Sequence, residues 1–501
     1  MTADAVDGAA TGMVSPAPGD APPGPGRPLL QRRRLLLGAA AGAGVAAVGT
    51  GGGAVLYRRR HAVLPLLSET VARTGPSAVA GTATAGTGTA AGTETAAGTG
   101  TVTGTVTGRT LVAVGAAGRV VPGTRVLRDA TDVAALVAAD RAWLAAGVPW
   151  TTAPGPWTGL GRDALLDLRV LLLPGGAAVA GWTPGWRYVW PRDAAHVTAA
   201  LAVSGHTAEA LAVLGFLQRA QRADGGFEAR YTPGGEVAPG GRPPQLDGTG
   251  WVLWAAAQLA GALALTDAIA ALGTVRPLLL RATGHALDAI DTPDSLPAPS
   301  PDYWETPETT TTLGTAAPLL AGLTGIAGPL VLLGETGLGR EAAAGGQRLA
   351  AAITTGFGAA GYPRHLHGGD RDAAVAFLFP PYVLGGVVPG LRTALAESAG
   401  ALRRPGGGLA PGSAWREDGI SWTPETALFA LASAASGDVA TAHERLRWLQ
   451  AHRTRAGSLP EKVLYDGRPA SVAPLGWTAA LVVLTLNALQ TVTGQGLDDL
   501  H

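Results

Sequence analysis

Acidic side chains stand beside tryptophan or proline at several short joints of this 501-residue sequence. The stretch "DYWETPETTTTLG", 302–314, carries Glu305 and Glu308 next to Trp304. "GSLPEKVLYDGRP", 457–469, carries Glu461 between Pro460 and Lys462. "YVWPRDAAHV", 188–197, joins Trp190 to the pair Arg192–Asp193. "PQLDGTGWVLWA", 244–255, carries Asp247, and "GISWTPETALFALA", 419–432, carries Trp422. Two carboxyl groups suit one reaction well. An acetal is inert until its leaving oxygen is protonated. One carboxylic acid can supply that proton while a second carboxylate activates water on the opposite face, at a separation of about 6.5–9.5 Å. An Arg–Asp pair both donates to and accepts from vicinal hydroxyls, which a sugar presents in fixed geometry. Trp186, Trp190, Trp251, Trp422 and Trp477 are candidates to stack on sugar faces.

Each of these residues also has a plainer reading. Glu305 could be a helix-start acid favoured by the helix dipole, a role that Glu308 fills more naturally. Glu461 could be a solvated loop acid paired with Lys462. Arg192–Asp193 could be a structural ion pair, and Asp247 either an N-cap or a sugar contact. His196 and His206 read as ordinary helix residues. "HLHGGDRD", 365–372, lacks a third ligand at metal spacing, so no metal site is expected there. "GGDRDAAVAFLFPP" reads instead as a helix start.

Composition narrows the class. Lys+Arg and Asp+Glu both number 37, so formal net charge is zero, which argues against capture of nucleic acid by bulk charge. With no cysteine, neither a disulfide nor a thiolate metal site can form. Tryptophan (13) outnumbers tyrosine (7) and phenylalanine (6). Its N–H needs a partner when buried, so an excess suggests flat binding surfaces, with sugars one candidate.

The N-terminal part reads in three pieces. Residues 1–30 are rich in Pro, Gly and Ala and are expected to be disordered. Residues 31–60 hold Arg32–Arg33–Arg34–Leu35–Leu36, a twin-arginine-like pattern, then an apolar run to Tyr57 closed by Arg58–Arg59–Arg60. That run is long enough to cross a bilayer. It predicts export, with the domain held outside the cytoplasm on a single-pass anchor, or secreted after signal cleavage. Residues 61–110 are expected to be a linker, because from Thr82 onward the sequence repeats Thr, Gly and Ala and has no apolar face.

From 111 to 498 helical periodicity recurs in segments separated by Gly, Pro and Asp. Asp193–Val203 with Thr207–Arg222, broken at Ser204–Gly205, predicts a helical hairpin. Similar pairs are predicted at 248–260 with 274–290, 309–323 with 341–354, and 424–435 with 439–452, before a last helix at 475–492. Strand patterns are few; "GGFEARYTPGGEV" is one candidate hairpin. The absence of a strict repeat favours a closed α/α toroid over an open solenoid. In such a toroid the loops at one end converge on a common pit, gathering Arg192, Asp193, Asp247, Glu305 and Glu461.

The ordered joints resemble glycoside hydrolase family 15, the glucoamylases with their glucodextranase and trehalase-like relatives, from about Leu165 to Leu489. "GAAVAGWTPGWRYVWPRDAAHVTAAL", "RPPQLDGTGWVLWA", "PDYWETPETTTTLG", "ISWTPETALFALA" and "GSLPEKVLYDGRPASVAPLGWTAA" look like five of that family's blocks, in order. The resemblance implies an all-α (α/α)6 barrel. It implies an inverting, exo-acting hydrolase that releases glucose from the non-reducing end of an α-glucan, without a cofactor. By position, Glu305 would be the general acid and Glu461 the general base. Arg192 and Asp193 would grip the terminal sugar, with Trp190, Asp247, Trp304 and Trp422 around it. Trp304 is expected to desolvate Glu305 and favour its protonated form. The chain departs from the pattern in Lys462, where the family usually has Gln, and in its few tyrosines. A monomer is expected. The competing readings are a catalytically inactive, membrane-tethered carbohydrate-binding protein and a purely structural helical toroid.

Overall fold

The computed structural model of the protein describes residues 62–75, 108–384 and 390–498. The expected tail 1–30, the expected span 31–60 and most of the Thr/Gly/Ala stretch lie outside the described residues.

Twelve segments form two concentric rings among the described residues. The outer ring consists of α2 (Thr158–Leu171), α4 (Thr207–Ala220), α7 (Arg276–Ala289), α9 (Thr336–Phe357), α10 (Leu391–Leu402) and α12 (Val439–Ala451). The inner ring consists of α3 (Pro191–Val203), α5 (Asp247–Gly261), α8 (Leu313–Leu332), a 3-10 segment Ala373–Leu378, α11 (Thr423–Ala435) and α13 (Gly476–Asp498). Outer and inner members alternate along the chain, and α13 packs back on α3 to close the ring. Two further helices, α1 (Val133–Ala145) and α6 (Leu265–Thr274), lie outside this alternation. The six inner segments therefore share one direction, and their N-terminal ends share one rim.

Composition separates the rings. Every side chain of α3 from Pro191 to Ala202 is buried, as are most of those in α5 and α8. A helix apolar all round belongs inside. Small residues let these helices approach: a Cβ on Gly250 would collide with the Pro318 carbonyl, and one on Gly322 with Gly250. Leu313–Leu332 is long and apolar enough to cross a membrane, but it is the buried inner helix α8. The outer helices are more amphipathic, with α9 burying Gly339, Ala342, Leu349, Ile353 and Phe357 along one face.

Local sequence sets the starts of the inner helices. Pro191 occupies the first turn of α3, where no N–H is needed, and the restricted residue before it, Trp190, is extended (φ −87°, ψ 132°). Trp422 before α11 is likewise extended (φ −108°, ψ 126°), ahead of Pro424. Thr207 begins α4, and His206 before it makes no capping hydrogen bond.

The domain begins earlier than its sequence suggests. Residues 62–75 fall in the expected linker 61–110, yet they pack into the body. β1 (Thr70–Arg73) pairs antiparallel with β2 (Arg109–Val112), and Val71 is fully buried in the main core. Thr454 Oγ1 donates to the Glu69 carbonyl at 2.5 Å and Ser68 Oγ to the Ala473 carbonyl at 2.6 Å. Thr74 N–H bonds to the Gly108 carbonyl at 2.7 Å, so the chain leaves the described structure at Gly75 and re-enters beside it. A second small sheet orders β3 (Ser421–Trp422), β4 (Lys462–Val463) and β5 (Pro469–Ala470) side by side. The predicted hairpin near Gly234–Gly235 is present as a tight turn, with Tyr231 bridging Val189 and Val237.

Candidate active site

The rim formed by the inner-helix N-termini gathers the predicted site residues. On the first joint, Trp190 Nε1 donates to Glu305 Oε1 at 2.5 Å. Four positions earlier, Trp186 Nε1 donates to Glu461 Oε1 at 3.4 Å. One short loop therefore touches both carboxylates, which lie 156 positions apart in sequence (461 − 305).

Glu305 sits in a tight turn. Its N–H bonds to the Asp302 carbonyl at 2.8 Å, and its backbone is left-handed, φ 56°. That conformation is strained for a residue with a Cβ and occurs where surrounding contacts over-determine it. The determinants lie behind the turn. Asp302 is fully buried and accepts from Trp304 N–H (2.9 Å), Thr312 Oγ1 (2.8 Å) and Arg364 (2.9 Å). Arg364 also reaches Glu308 at 2.6 Å and Asp372 at 3.1 Å, and its guanidinium covers the Trp304 ring at 3.8 Å. Burial opposes the charge of Arg364, but Asp372 and Asp302 outweigh it and strengthen its hold on the proton. Asp372 also accepts from Tyr303 at 2.5 Å and caps the 3-10 segment through Ala374 N–H at 2.9 Å.

Two expectations change here. Glu308 does not serve the start of α8; it is held by Arg364 and His365, and α8 begins after Thr312. Trp304 is not an apolar wall against Glu305. Its ring is taken by Arg364 and by the edge of Trp415 at 4.8 Å. The immediate partners of the Glu305 carboxylate are instead an indole N–H, Arg192 at 3.6 Å and Arg242 in direct ion-pair contact.

Arg192 and Asp193 are both buried at the first turn of α3. Arg192 reaches Asp247 at 3.2 Å, Gln245 at 3.3 Å and Asp193 at 3.6 Å. Asp247 is the first residue of α5 rather than its N-cap, so its side chain secures Arg192. Burial pushes Asp193 and Asp247 each up to about 6, with Arg192 partly opposing the rise. Beneath Arg192, His196 Nδ1–H donates to the Arg192 carbonyl at 2.8 Å, which leaves Nε2 to accept from the Tyr382 hydroxyl at 3.1 Å. Burial lowers His196 to about 3, so it stays neutral in the plug of rings from Trp251, Trp254, Tyr382 and Trp477. Trp251 (0% exposed) and Trp477 (6%) belong to this core and are not stacking platforms.

Glu461 lies at the end of β3–β4. Ser471 Oγ donates to its Oε2 at 2.5 Å, and Lys462 Nζ stands 3.3 Å from the same oxygen. Ser471 is also left-handed, φ 66°. It is pinned by the lead-in segment: its N–H bonds to the Pro65 carbonyl and its carbonyl accepts from Leu67 N–H, both at 2.9 Å. Lys462 Nζ covers the half-buried Trp422 ring at 4.2 Å, and Trp422 meets Trp415 edge-on at 5.6 Å. Trp304, Trp415 and Trp422 thus form an indole wall running from the Glu305 turn toward Glu461. Glu425, on the first turn of α11, is buried with one carboxylate oxygen unpartnered. Burial, reinforced by the nearby Glu461 and Asp372 charges, raises it to about 8.

The structure therefore brings together every predicted site residue: Glu305, Glu461, Arg192, Asp193, Trp190, Asp247, Trp304 and Trp422. It adds Arg242, Arg364, Trp415, Ser471 and Glu425. Arg242 and Glu425 stand inside motifs already singled out, "RPPQLDG" and "WTPET". Ser471 likewise falls inside "GSLPEKVLYDGRPASVAPLGWTAA", whereas Arg364 and Trp415 carry no local signal. Among the described residues no group of His, Cys, Asp and Glu is placed to hold a metal ion.

No protein-family profile and no curated protein matches the chain. Solved structures do. A protein described as a wild-type glycosidase aligns at 22% identity over 67% of this chain and 99% of its own, TM-score 0.56. A bacterial glucoamylase complexed with acarbose aligns at 16% identity over 70% of this chain and 58% of its own, TM-score 0.55. A glucoamylase from Saccharomycopsis fibuligera aligns at 13% over 67% and 96%, TM-score 0.55. Likeness at these identities defines the fold: the chain has the six-hairpin (α/α)6 architecture shared with these glycosidases.

Proposed function

We propose that the protein is an inverting, exo-acting glycoside hydrolase that releases glucose from the non-reducing end of α-glucosides, with Glu305 as general acid and Glu461 as general base. The observation that carries this reading is the pairing of both carboxylates with one loop, through Trp190 and Trp186. Two acids far apart in sequence, each oriented by an indole N–H at the mouth of one barrel, fit a reaction that needs two carboxyl groups on opposite sides of one bond. Glu461 is held in place by Ser471 and Lys462, which touch the same carboxylate oxygen. Arg192, Asp193 and the Trp415–Trp422 wall offer donors, acceptors and flat faces to a sugar. The fold neighbours called glucoamylase, one of them in complex with acarbose, support an α-glucan substrate.

In the reaction proposed, Glu305 gives its proton to the glycosidic oxygen as the bond to the anomeric carbon breaks. Glu461 takes a proton from the water that attacks that carbon from the other face. The sugar leaves with inverted configuration. Residues 31–60 add a second proposal, export on a twin-arginine-like segment with the catalytic domain outside the cytoplasm, membrane-anchored or released. Fractionation of cells producing the full chain tests it: exclusive recovery in the cytoplasm would refute export. The activity is tested by incubating the protein with maltose, isomaltose, trehalose and longer maltooligosaccharides and measuring free glucose. Release from at least one, lost in Glu305→Gln and Glu461→Gln, is the expected result. Sugar binding without glucose release from any would favour the inactive carbohydrate-binding reading.

A further inference from the structure

Glu305 meets two guanidiniums of different character. Arg192 is buried at the start of α3 and fixed by Asp247, Gln245 and Asp193. Arg242 stands on the loop leading to α5, directly after Gly240 and Gly241, which take φ values of 112° and 61°. Its side chain keeps 28% exposure while pairing with Glu305 Oε2. The cation beside the other carboxylate differs again. Lys462 is 16% exposed, lies on β4 and is held over the Trp422 ring. A fixed cation suits a base, which works in its charged form. A cation on a proton donor does the opposite, because it favours the ionised form.

The oxygens of Glu305 sharpen the conflict. Oε1 already accepts the Trp190 N–H. Oε2 is the oxygen left to face a glycosidic bond, and Arg242 covers it. The other charges facing Glu305 do not resolve this. On the α3 and α5 side, Arg192 shares its charge with Asp193 and Asp247; behind the Glu305 turn, Arg364, on the loop after α9, is engaged by Asp302, Glu308 and Asp372.

We infer that Arg242 is a leaving-group-side binding residue that pairs with Glu305 in the free protein and transfers to the hydroxyls of the departing sugar when substrate binds. Its transfer clears Oε2. Glu305 then takes a proton from solvent and passes it to the glycosidic oxygen. The guanidinium has five donors and the adjacent glycines allow the loop to re-aim it. This rests on Glu305 being the proton donor.

The test compares pH profiles on whichever of maltose, isomaltose and trehalose is hydrolysed, for the wild type, Arg242→Gln, Arg242→Met and Arg242→Lys. The profile of kcat/KM reports the free enzyme, and that of kcat reports the bound complex. In the wild type the alkaline limb of kcat/KM is expected to lie about 1 unit or more below that of kcat. Both neutral variants are expected to close that gap by raising the kcat/KM limb, with a higher KM from the lost sugar contact. Arg242→Lys is expected to keep the gap. Superimposable profiles for wild type and both neutral variants would overturn the inference while leaving Glu305 in place as donor. Undiminished hydrolysis by Glu305→Gln, or no hydrolysis by the wild type, would overturn the donor reading and the inference with it.

Discussion

Trp186 and Trp190, four positions apart on one loop, donate their indole N–H groups to Glu461 and Glu305 respectively. Hydrogen bonds to charged groups contribute about 1.5–3 kcal/mol. Trp190→Phe keeps the ring and removes the donor, so kcat is expected to fall about 10-fold or more with little change in KM. The same change at Trp186, whose bond is longer, is expected to cost less. Steady-state kinetics on the two variants checks the order; equal losses, or none at Trp190, would separate the loop from the chemistry.

The two carboxylates are expected to respond differently to the leaving group. A good leaving group needs no protonation, so Glu305→Gln is expected to lose about 10²–10⁴-fold on a disaccharide but far less on α-glucosyl fluoride. Glu461→Gln is expected to lose activity on both. The reverse pattern would exchange the assigned roles.

Much of this was legible in the sequence, for a physical reason. An inner helix must start with its polar, functional residue at the rim and continue without a polar face, so "WPRDAAHVTAAL" and "WTPETALFALA" announce themselves. What was not legible depends on closure of the ring. The fourth inner segment is six residues of 3-10 helix, Ala373–Leu378, too short to show a period. Arg364 acquires its role only when the loops holding Asp302 and Asp372 meet. Trp251 and Trp477 look like platforms by type and are core by position.

The lead-in segment was hidden by the low-complexity stretch that follows it. Because Pro65 and Leu67 bracket Ser471, which in turn donates to Glu461, a chain starting at Leu111 loses β1 and the support of the base. It is expected to be less stable and less active than one starting at Arg60. Thermal melts and glucose release on the two decide; equal behaviour would make residues 62–75 dispensable.

Arg364 bridges two buried carboxylates, Asp302 and Asp372, and the half-buried Glu308. Removing one partner of a buried pair leaves charge uncompensated, at a cost of about 3–5 kcal/mol. Arg364→Met is expected to lower stability by that order in denaturant unfolding, and to lower activity by releasing Trp304. A loss below about 1 kcal/mol, the scale of a surface pair, would contradict the role assigned.

Glu425 gives a pH dependence of stability. It titrates near 4.5 in an unfolded chain and about 8 in the folded protein. Between those values the folded state binds the extra proton, so stability falls as pH rises through that window. Glu425→Gln removes the effect. The variant is expected to match the wild type near pH 4.5 and to exceed it near pH 8 by on the order of 4 kcal/mol. Parallel melting curves at both pH values would show that Glu425 is ionised in the folded protein.

The most direct test of the central claim follows the anomeric protons by NMR during the first minutes of hydrolysis, before mutarotation. With Glu305 as acid and Glu461 as base acting on a bound water, an α-glucoside is expected to release β-glucose first. Initial release of α-glucose would mean retention of configuration and would contradict the assignment of Glu461 as the general base.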